Sequence, residues 1–95
     1  LYNNYMNKDK WKMLMVIGNP YAMNILQSLF ESPKRFSDLN KACPIEKTRA
    51  KRLKELMNIG LIEAIVKPIG KRNFVHYKPT KKGEEVFRKA MEISS

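Results

Sequence analysis

The 95-residue sequence contains only one cysteine and one histidine. One cysteine cannot close an internal disulfide, and two such residues fall short of the three or four ligands that a zinc site requires. The longest apolar run, residues 13–17, is much shorter than the roughly 18–20 residues that span a bilayer. The sequence therefore predicts no disulfide framework, no metal site and no membrane partner, and we expect the protein to be cytoplasmic.

Arrangements of catalytic side chains are also missing. The sequence has no Ser-His-Asp or Cys-His arrangement, no glycine-rich phosphate loop and no closely spaced pair of carboxylates. A chain of this length corresponds to one domain, which excludes an enzyme with its site in a cleft between two lobes. We therefore predict a single domain over residues 1–95 that is not an enzyme and uses no cofactor.

The sequence does have a large excess of positive charge. Nineteen Lys and Arg residues against nine Asp and Glu residues give a formal net charge of +10. Residues 34–54 alone contain eight basic and two acidic residues. Such a concentration is typical of a surface that binds a polyanion.

Apolar residues recur every three or four positions in much of the chain, which is the pattern of amphipathic helices. The predicted helices cover residues 7–17, 20–31, 46–58 and 80–93. Asn19 and Pro20 are expected to begin the second helix, and Thr80 is expected to cap the last one. Ser37 is expected to cap a short helix between the second and the third.

The periodicity changes after Gly60, which lies where a helix C-terminal glycine is expected. Residues 61–67 and 73–78 predict two strands, and the turn formers at 68–72 predict a hairpin. This order is a winged helix-turn-helix, a mainly α (α+β) fold with a two-stranded β-hairpin. Its parts are the helix-turn-helix at about 36–58, the wing at about 61–78 and the C-terminal helix at about 80–93.

Several segments resemble winged-helix transcriptional regulators of the HxlR type, with MarR- and ArsR-type proteins as the next relatives. They are residues 32–39, residues 52–56 leading into 60–63, residues 77–83 and the Lys-Trp pair at 10–11. The resemblance implies homodimers whose terminal helices pair and whose recognition helices enter successive major grooves. Three departures stand out: no cysteine precedes the Lys-Trp pair, residues 44–46 (Pro-Ile-Glu) replace the usual Ser-Pro at the start of the recognition helix, and Arg49 lies where relatives usually have an apolar residue.

The segment 46–58 combines an apolar side with a basic side, as a DNA-reading helix does. Its predicted apolar side consists of Ala50, Leu53, Leu56 and Met57. The candidates for DNA contact are Lys34, Arg35, Ser37, Lys47, Thr48, Arg49, Lys51, Arg52, Lys54, Lys71 and Arg72. Those on the helix are expected in the major groove, with Arg49 extending to a backbone phosphate. Lys71 and Arg72 are expected to contact the backbone or the minor groove.

The first and last helices offer more apolar surface than a small core needs. The residues concerned are Trp11, Leu14, Met15, Phe87, Ala90 and Met91. We predict that they form a two-fold dimer interface, which spaces the two recognition helices about 34 Å apart; the alternative is burial within one protomer. Cys43 is predicted to be a small buried hydrophobe, with a role in sensing oxidation as the alternative.

Together these patterns predict sequence-specific binding of double-stranded DNA by a dimeric transcription regulator. One alternative is a winged-helix protein interaction module whose basic face binds an acidic partner. Another is a binder of RNA or single strands, which would need exposed aromatic side chains for base stacking. Only Phe74 and Tyr77 in the hairpin are candidates for that role.

Overall fold

The computed structural model describes the backbone of residues 3–94 and the side chains of residues 10–93. The elements, in chain order, are α1 (Asn3–Ile17), α2 (Ala22–Glu31), a 3-10 turn (Ser37–Leu39), α3 (Glu46–Asn58), β1 (Ile62–Ile69), β2 (Arg72–Pro79) and α4 (Lys81–Ser94). This is the predicted winged helix-turn-helix, a mixed α and β fold. Among the described helices, none has the length and hydropathy needed to cross a membrane.

The core is built around α2, whose apolar residues recur on one side. Ile25, Leu26 and Leu29 are at most 1% exposed, and Leu53 and Leu56 of α3 pack against them. Burial of a side chain of this size stabilises the folded state by about 1.5–3 kcal/mol. The core therefore joins α2 directly to α3, the helix that the sequence predicts to contact DNA.

The predicted start of α2 at Asn19 and Pro20 is wrong. The helix begins at Ala22, and the residue before it, Tyr21, has a left-handed backbone with φ of 70° and provides no side-chain cap. Asn19 lies instead in the turn before the helix, where its carbonyl accepts from the N–H of Ala22 at 3.1 Å. Its side-chain amide donates to Glu55 on α3, at 3.2 Å.

The predicted short helix after α2 is only the 3-10 turn Ser37–Leu39, and Ser37 does not cap it. Instead, the carboxylate of Asp38 accepts a hydrogen bond from the backbone N–H of Arg35 at 3.0 Å. Leu39 and Cys43 are fully buried. This connection places the start of α3 against the core.

The helix α3 has the predicted bounds, and Gly60 ends it as expected. Gly60 has a φ of 76°, and its N–H bonds the carbonyl of Met57 at 3.0 Å. The N–H of Leu61 bonds the carbonyl of Leu56, also at 3.0 Å. These two bonds form a Schellman motif, which turns the chain from α3 into the wing.

The wing is an antiparallel hairpin whose register runs from Ile62 opposite Pro79 to Ile69 opposite Arg72. The predicted turn at 68–72 is too long, because the loop contains only Gly70 and Lys71. Gly70 has a φ of 63°, the conformation that glycine adopts readily at the first central position of a two-residue hairpin loop. Pro68 is tolerated inside β1 because both strands of a two-stranded sheet are edges.

Thr80 caps α4, as predicted from the sequence. Its hydroxyl accepts a hydrogen bond from the N–H of Gly83 at 3.1 Å and donates to the carbonyl of Gly60 at 2.6 Å. A Cβ atom at Gly83 would overlap the backbone carbonyl of Leu61. The threonine and this close approach hold the start of α4 against the junction between α3 and β1.

Candidate nucleic-acid interface

A stripe of exposed polar side chains runs along the outer side of α3. It consists of Lys47, Lys51, Lys54 and Asn58, at spacings of four, three and four residues that place them on one side of a helix. Within the described residues, none of the three lysines forms a hydrogen bond or an ion pair. We call these four residues the outer stripe; its ammonium groups are available to a ligand.

The buried side of α3 is rotated from the predicted one. Arg49, Leu53 and Leu56 are buried, whereas Ala50 is exposed and Met57 is half-buried. The prediction that Ala50 faces the core is therefore wrong. Its small side chain lies beside the outer stripe, where it leaves room for a ligand to approach the helix backbone.

Arg49 does not reach the surface, which corrects its assignment to a phosphate contact. The residue is 3% exposed, and its guanidinium lies 4.7 Å above the ring of Phe36. Its Nε donates to the carbonyl of Cys43 at 2.8 Å, Nη1 to that of Phe36 at 3.2 Å and Nη2 to that of Pro44 at 3.5 Å. The side chain is thus occupied by the turn that precedes α3.

Arg52 also faces the protein, with 12% of its side chain exposed. Its Nε donates to the carbonyl of Pro20 at 2.9 Å, and its Nη1 donates to a carboxylate oxygen of Glu55 at 3.0 Å. The same oxygen accepts the bond from Asn19. In this geometry Arg52 ties α3 to the connection between α1 and α2, which does not support its predicted place in the major groove.

Lys34 lies where the chain after α2 pairs with the wing. Its backbone bonds that of Tyr77 in both directions, at 3.0 and 2.7 Å. Its ammonium donates to the carbonyl of Ser28 at 2.8 Å and to the hydroxyl of Ser32 at 3.1 Å. These contacts with the protein do not support the DNA contact predicted for Lys34.

Arg35 joins the same region to β2. Its guanidinium lies 5.0 Å above the ring of Phe74 and forms an ion pair with Asp38 at 3.4 Å. The backbone N–H of Arg35 is the largest of the influences that lower the pKa of Asp38, and the guanidinium adds to it. Arg35 remains partly exposed and Ser37 is exposed, so both keep a surface that a ligand can reach.

The wing tip is basic, as predicted, because Lys71 and Arg72 are exposed at the end of the hairpin. Lys67 is a further candidate that the sequence interpretation missed. It lies two residues before Ile69, the partner of Arg72, so Lys67 and Arg72 share one face of the hairpin. The alternation within the strands contained this signal, but it becomes readable only when the register is known.

The predicted dimer residues separate into two groups. Trp11, Leu14, Met15 and Met91 are 62%, 53%, 71% and 45% exposed. Phe87 is buried, and its ring centre lies 4.7 Å from that of Phe30. The prediction for Phe87 is therefore wrong, because it belongs to the core of its own protomer; Ala90 is half-buried.

Cys43 is fully buried, as predicted, and its thiol lies 3.7 Å from the carbonyl of Ile45. Phe74 and Tyr77, the candidates for base stacking, are both half-buried. Arg35 lies over the ring of Phe74. The described residues contain no group of three or more His, Cys, Asp or Glu side chains that could hold a metal ion.

A helix-turn-helix with a basic outer stripe and a basic hairpin tip defines a winged helix-turn-helix protein of the DNA-binding class. Residues 8–95 match the model of the HxlR family, which is described as an HxlR-like helix-turn-helix. The chain belongs to this family. No curated protein is similar enough to the sequence to count as a match.

Solved structures agree with this family. The reduced form of the transcriptional regulator YodB from B. subtilis is 28% identical, with a TM-score of 0.76 over 86% of this chain and 81% of that chain. A MarR-family protein from Porphyromonas gingivalis W83 is 27% identical, with a TM-score of 0.71 over 87% and 82%. Mb0332 from Mycobacterium bovis, 17% identical, shares the fold with a TM-score of 0.74 over 97% and 83%. The family and these neighbours support a DNA-binding transcription regulator rather than an enzyme.

Proposed function

We propose that this chain binds double-stranded DNA sequence-specifically as a homodimeric transcription regulator. In this proposal α3 enters the major groove and the wing contacts the backbone or the minor groove. The observation that carries it is the outer stripe, whose lysines have no internal partner among the described residues while neighbouring cations are engaged by the protein. An exposed helix with unpaired ammonium groups fits a groove lined with phosphates and base acceptors.

The proposed contacts follow from exposure. On α3 they are Lys47, Thr48, Ala50, Lys51 and Lys54, and on the wing they are Lys67, Lys71 and Arg72. Arg35 and Ser37 are proposed to contact backbone phosphates from the start of the helix-turn-helix. Arg49 is not included, because its guanidinium is buried, and neither are Lys34 and Arg52, because their charged groups are bound within the protein.

Homodimer formation is proposed through the exposed apolar side chains of α1 and α4. Trp11, Leu14 and Met15 on α1 and Met91 on α4 are exposed apolar side chains, and apolar surface of this kind is typical of interaction sites. Mb0332, which shares the fold, is a homodimeric winged helix-turn-helix domain. A two-fold axis through these helices would place two copies of α3 about 34 Å apart, one turn of the DNA helix.

Fluorescence anisotropy tests the DNA partner. A labelled mixed-sequence duplex of roughly 30 base pairs, a single strand and an RNA duplex are titrated across a salt series. Duplex DNA is expected to bind most tightly, with log K falling by about 0.9 per log salt for each phosphate neutralised. A flat salt dependence, or no preference for duplex DNA, would contradict the proposal and favour an acidic protein partner for the outer stripe.

Sedimentation tests the dimer separately. The wild-type protein is expected at twice the chain mass of 11.1 kDa. Met15→Glu places a charge on the exposed apolar surface and is expected to give monomers without loss of helix content, because Met15 is 71% exposed. A monomeric wild type, or a Met15→Glu dimer of unchanged affinity, would remove this surface from the proposal.

A further inference from the structure

Arg49 is a buried cation without a carboxylate partner among the described residues. Its guanidinium is surrounded instead by the carbonyls of Phe36, Cys43 and Pro44 and by the ring of Phe36. Burial of a charged group is unfavourable unless hydrogen bonds and dipoles replace its hydration. The hydrogen bonds and the ring contact of Arg49 must therefore form together. They constrain the positions of the residues that supply the carbonyls and the ring.

The three carbonyls come from both ends of the connection that precedes α3. Phe36 lies before the 3-10 turn, whereas Cys43 and Pro44 lie directly before the helix. A guanidinium has five N–H donors in a rigid planar fork, so this one side chain can donate to all three separated carbonyls. Arg49 thus connects the second turn of α3 to the rest of the helix-turn-helix.

The position of Arg49 relates this contact to the outer stripe. Lys47 and Lys51 flank it in sequence and point away from the core, while Arg49 points into it. A change in the position of the Arg49 side chain would therefore rotate or shift α3, and both lysines would move relative to the wing. Phosphate attraction tolerates such a shift, whereas hydrogen bonds to base edges depend on accurate placement.

We infer that Arg49 is a positioning residue for sequence discrimination. Through its hydrogen bonds to the segment before α3, it sets the orientation in which the outer stripe meets the bases. This inference rests on the proposed DNA-binding function. It assigns Arg49 to discrimination between sequences and not to general affinity for DNA.

The test uses Arg49→Lys, which keeps the charge and removes the planar fork. Wild-type protein first enriches a duplex from a random-sequence pool, and affinities are then measured for this duplex and for a mixed-sequence duplex. Arg49→Lys is expected to weaken binding to the enriched duplex about tenfold, change binding to the mixed one less than about threefold and leave the salt slope unaltered. The matched control is Arg88→Lys, the same change at an exposed position on α4.

Amide hydrogen exchange over residues 40–46 is the second measurement, and it needs no DNA. Faster exchange is expected in Arg49→Lys than in Arg88→Lys, because the carbonyls of the turn lose donors. All measurements are made at a temperature where circular dichroism shows every variant folded. Arg49→Met, whose side chain is of similar length and uncharged, is measured as a second variant. If it does not fold, the test rests on Arg49→Lys.

The outcomes separate the inference from the function on which it rests. Unchanged discrimination by Arg49→Lys, an equal loss on both duplexes, or a salt slope reduced by about 0.9 would overturn the positioning role. Turn exchange equal to that of the control would overturn it as well. A wild-type protein that shows no preference for duplex DNA would instead overturn the proposed function, and the inference with it.

Discussion

Lys51 and Arg52 are neighbours in sequence and carry the same charge, yet their side chains on α3 have different surroundings. Lys51 is exposed and has no partner among the described residues, whereas Arg52 is mostly buried between Pro20 and Glu55. Arg49, about one helical turn earlier in α3, also points inward, and its guanidinium donates to the carbonyl of Cys43 in the segment before the helix. One side of α3 therefore holds the fold and the other is open to a ligand.

This difference shows that α3 carries two kinds of cation. The inward arginines bond backbone carbonyls, which a forked guanidinium can reach in pairs or threes. The outward residues are lysines, whose hydrated ammonium groups on flexible stems suit phosphates. Removal of an inward cation should cost stability, and removal of an outward one should cost DNA affinity.

The largest effect is expected from the inward side itself. Leu53→Ala removes a side chain that is 2% exposed and is expected to lower the free energy of unfolding by about 2–5 kcal/mol. Urea denaturation measures it, with the neighbouring exposed Lys54→Ala as control, which should change stability by no more than about 0.5 kcal/mol. Equal losses of unfolding free energy in the two variants would show that the inward and outward sides of α3 contribute equally to stability.

The double variant Lys47→Ala, Lys51→Ala tests the outward side. It is expected to weaken duplex binding at least about tenfold and to reduce the salt slope by about 0.9 for each of the two lysines that contacts a phosphate. Thermal stability should stay near that of the wild type. Lys81→Ala, Lys89→Ala on α4 removes the same charge, and a similar loss in that control would mean that only net charge matters.

Arg52→Ala asks whether this cation belongs to the inward group. The change removes the side-chain donor to the carbonyl of Pro20 and one of the two donors to the carboxylate of Glu55, so stability is expected to fall by about 1–2 kcal/mol. The salt slope of DNA binding should be unaltered. Lys89→Ala is the control, because its ion pair with Glu85 is exposed and such pairs contribute little. A reduced slope with full stability would place Arg52 at the DNA.

The smallest effect concerns Asp38, which accepts from Arg35 at the edge of the helix-turn-helix. Its pKa is lowered in the folded state from the usual 3.8, so it contributes stability above that pH. That contribution is lost as the pH falls through the lower, folded-state pKa. Asp38→Asn should therefore lower Tm slightly at neutral pH and flatten the fall of Tm in acid. Ser37→Ala should keep the wild-type pH dependence; an unchanged acid limb in Asp38→Asn would contradict this account.

Features that depend on neighbouring residues could be predicted. The bounds of α3, the glycine after it, the cap of α4 at Thr80 and the basic wing tip all follow from periodicity, capping and turn preferences within a few residues. The resemblance to HxlR-type regulators likewise rested on short segments, and family membership confirms it. The lysines of the outer stripe were predicted because a helical period places them opposite the apolar side.

The roles of Arg49 and Arg52 could not be predicted, because both depend on backbone carbonyls that are distant in sequence. Every residue carries such a group, so the sequence contains no mark of which one will be used. Arg52 meets Pro20 across 32 residues, and Arg49 meets Phe36 across 13. Phe87 was misplaced for a related reason: an apolar residue on an amphipathic helix suits a core and an interface equally well.

By itself the sequence determined the order of helices and hairpin, the family and the presence of a basic helix α3, since each follows from local pattern and composition. Only the tertiary structure decided which cations hold the protein together and which are left for a ligand. Packing of α3 against α2 sets the helix rotation, and that rotation brings Arg49 and Arg52 to distant carbonyls while it leaves Lys47, Lys51 and Lys54 in solvent.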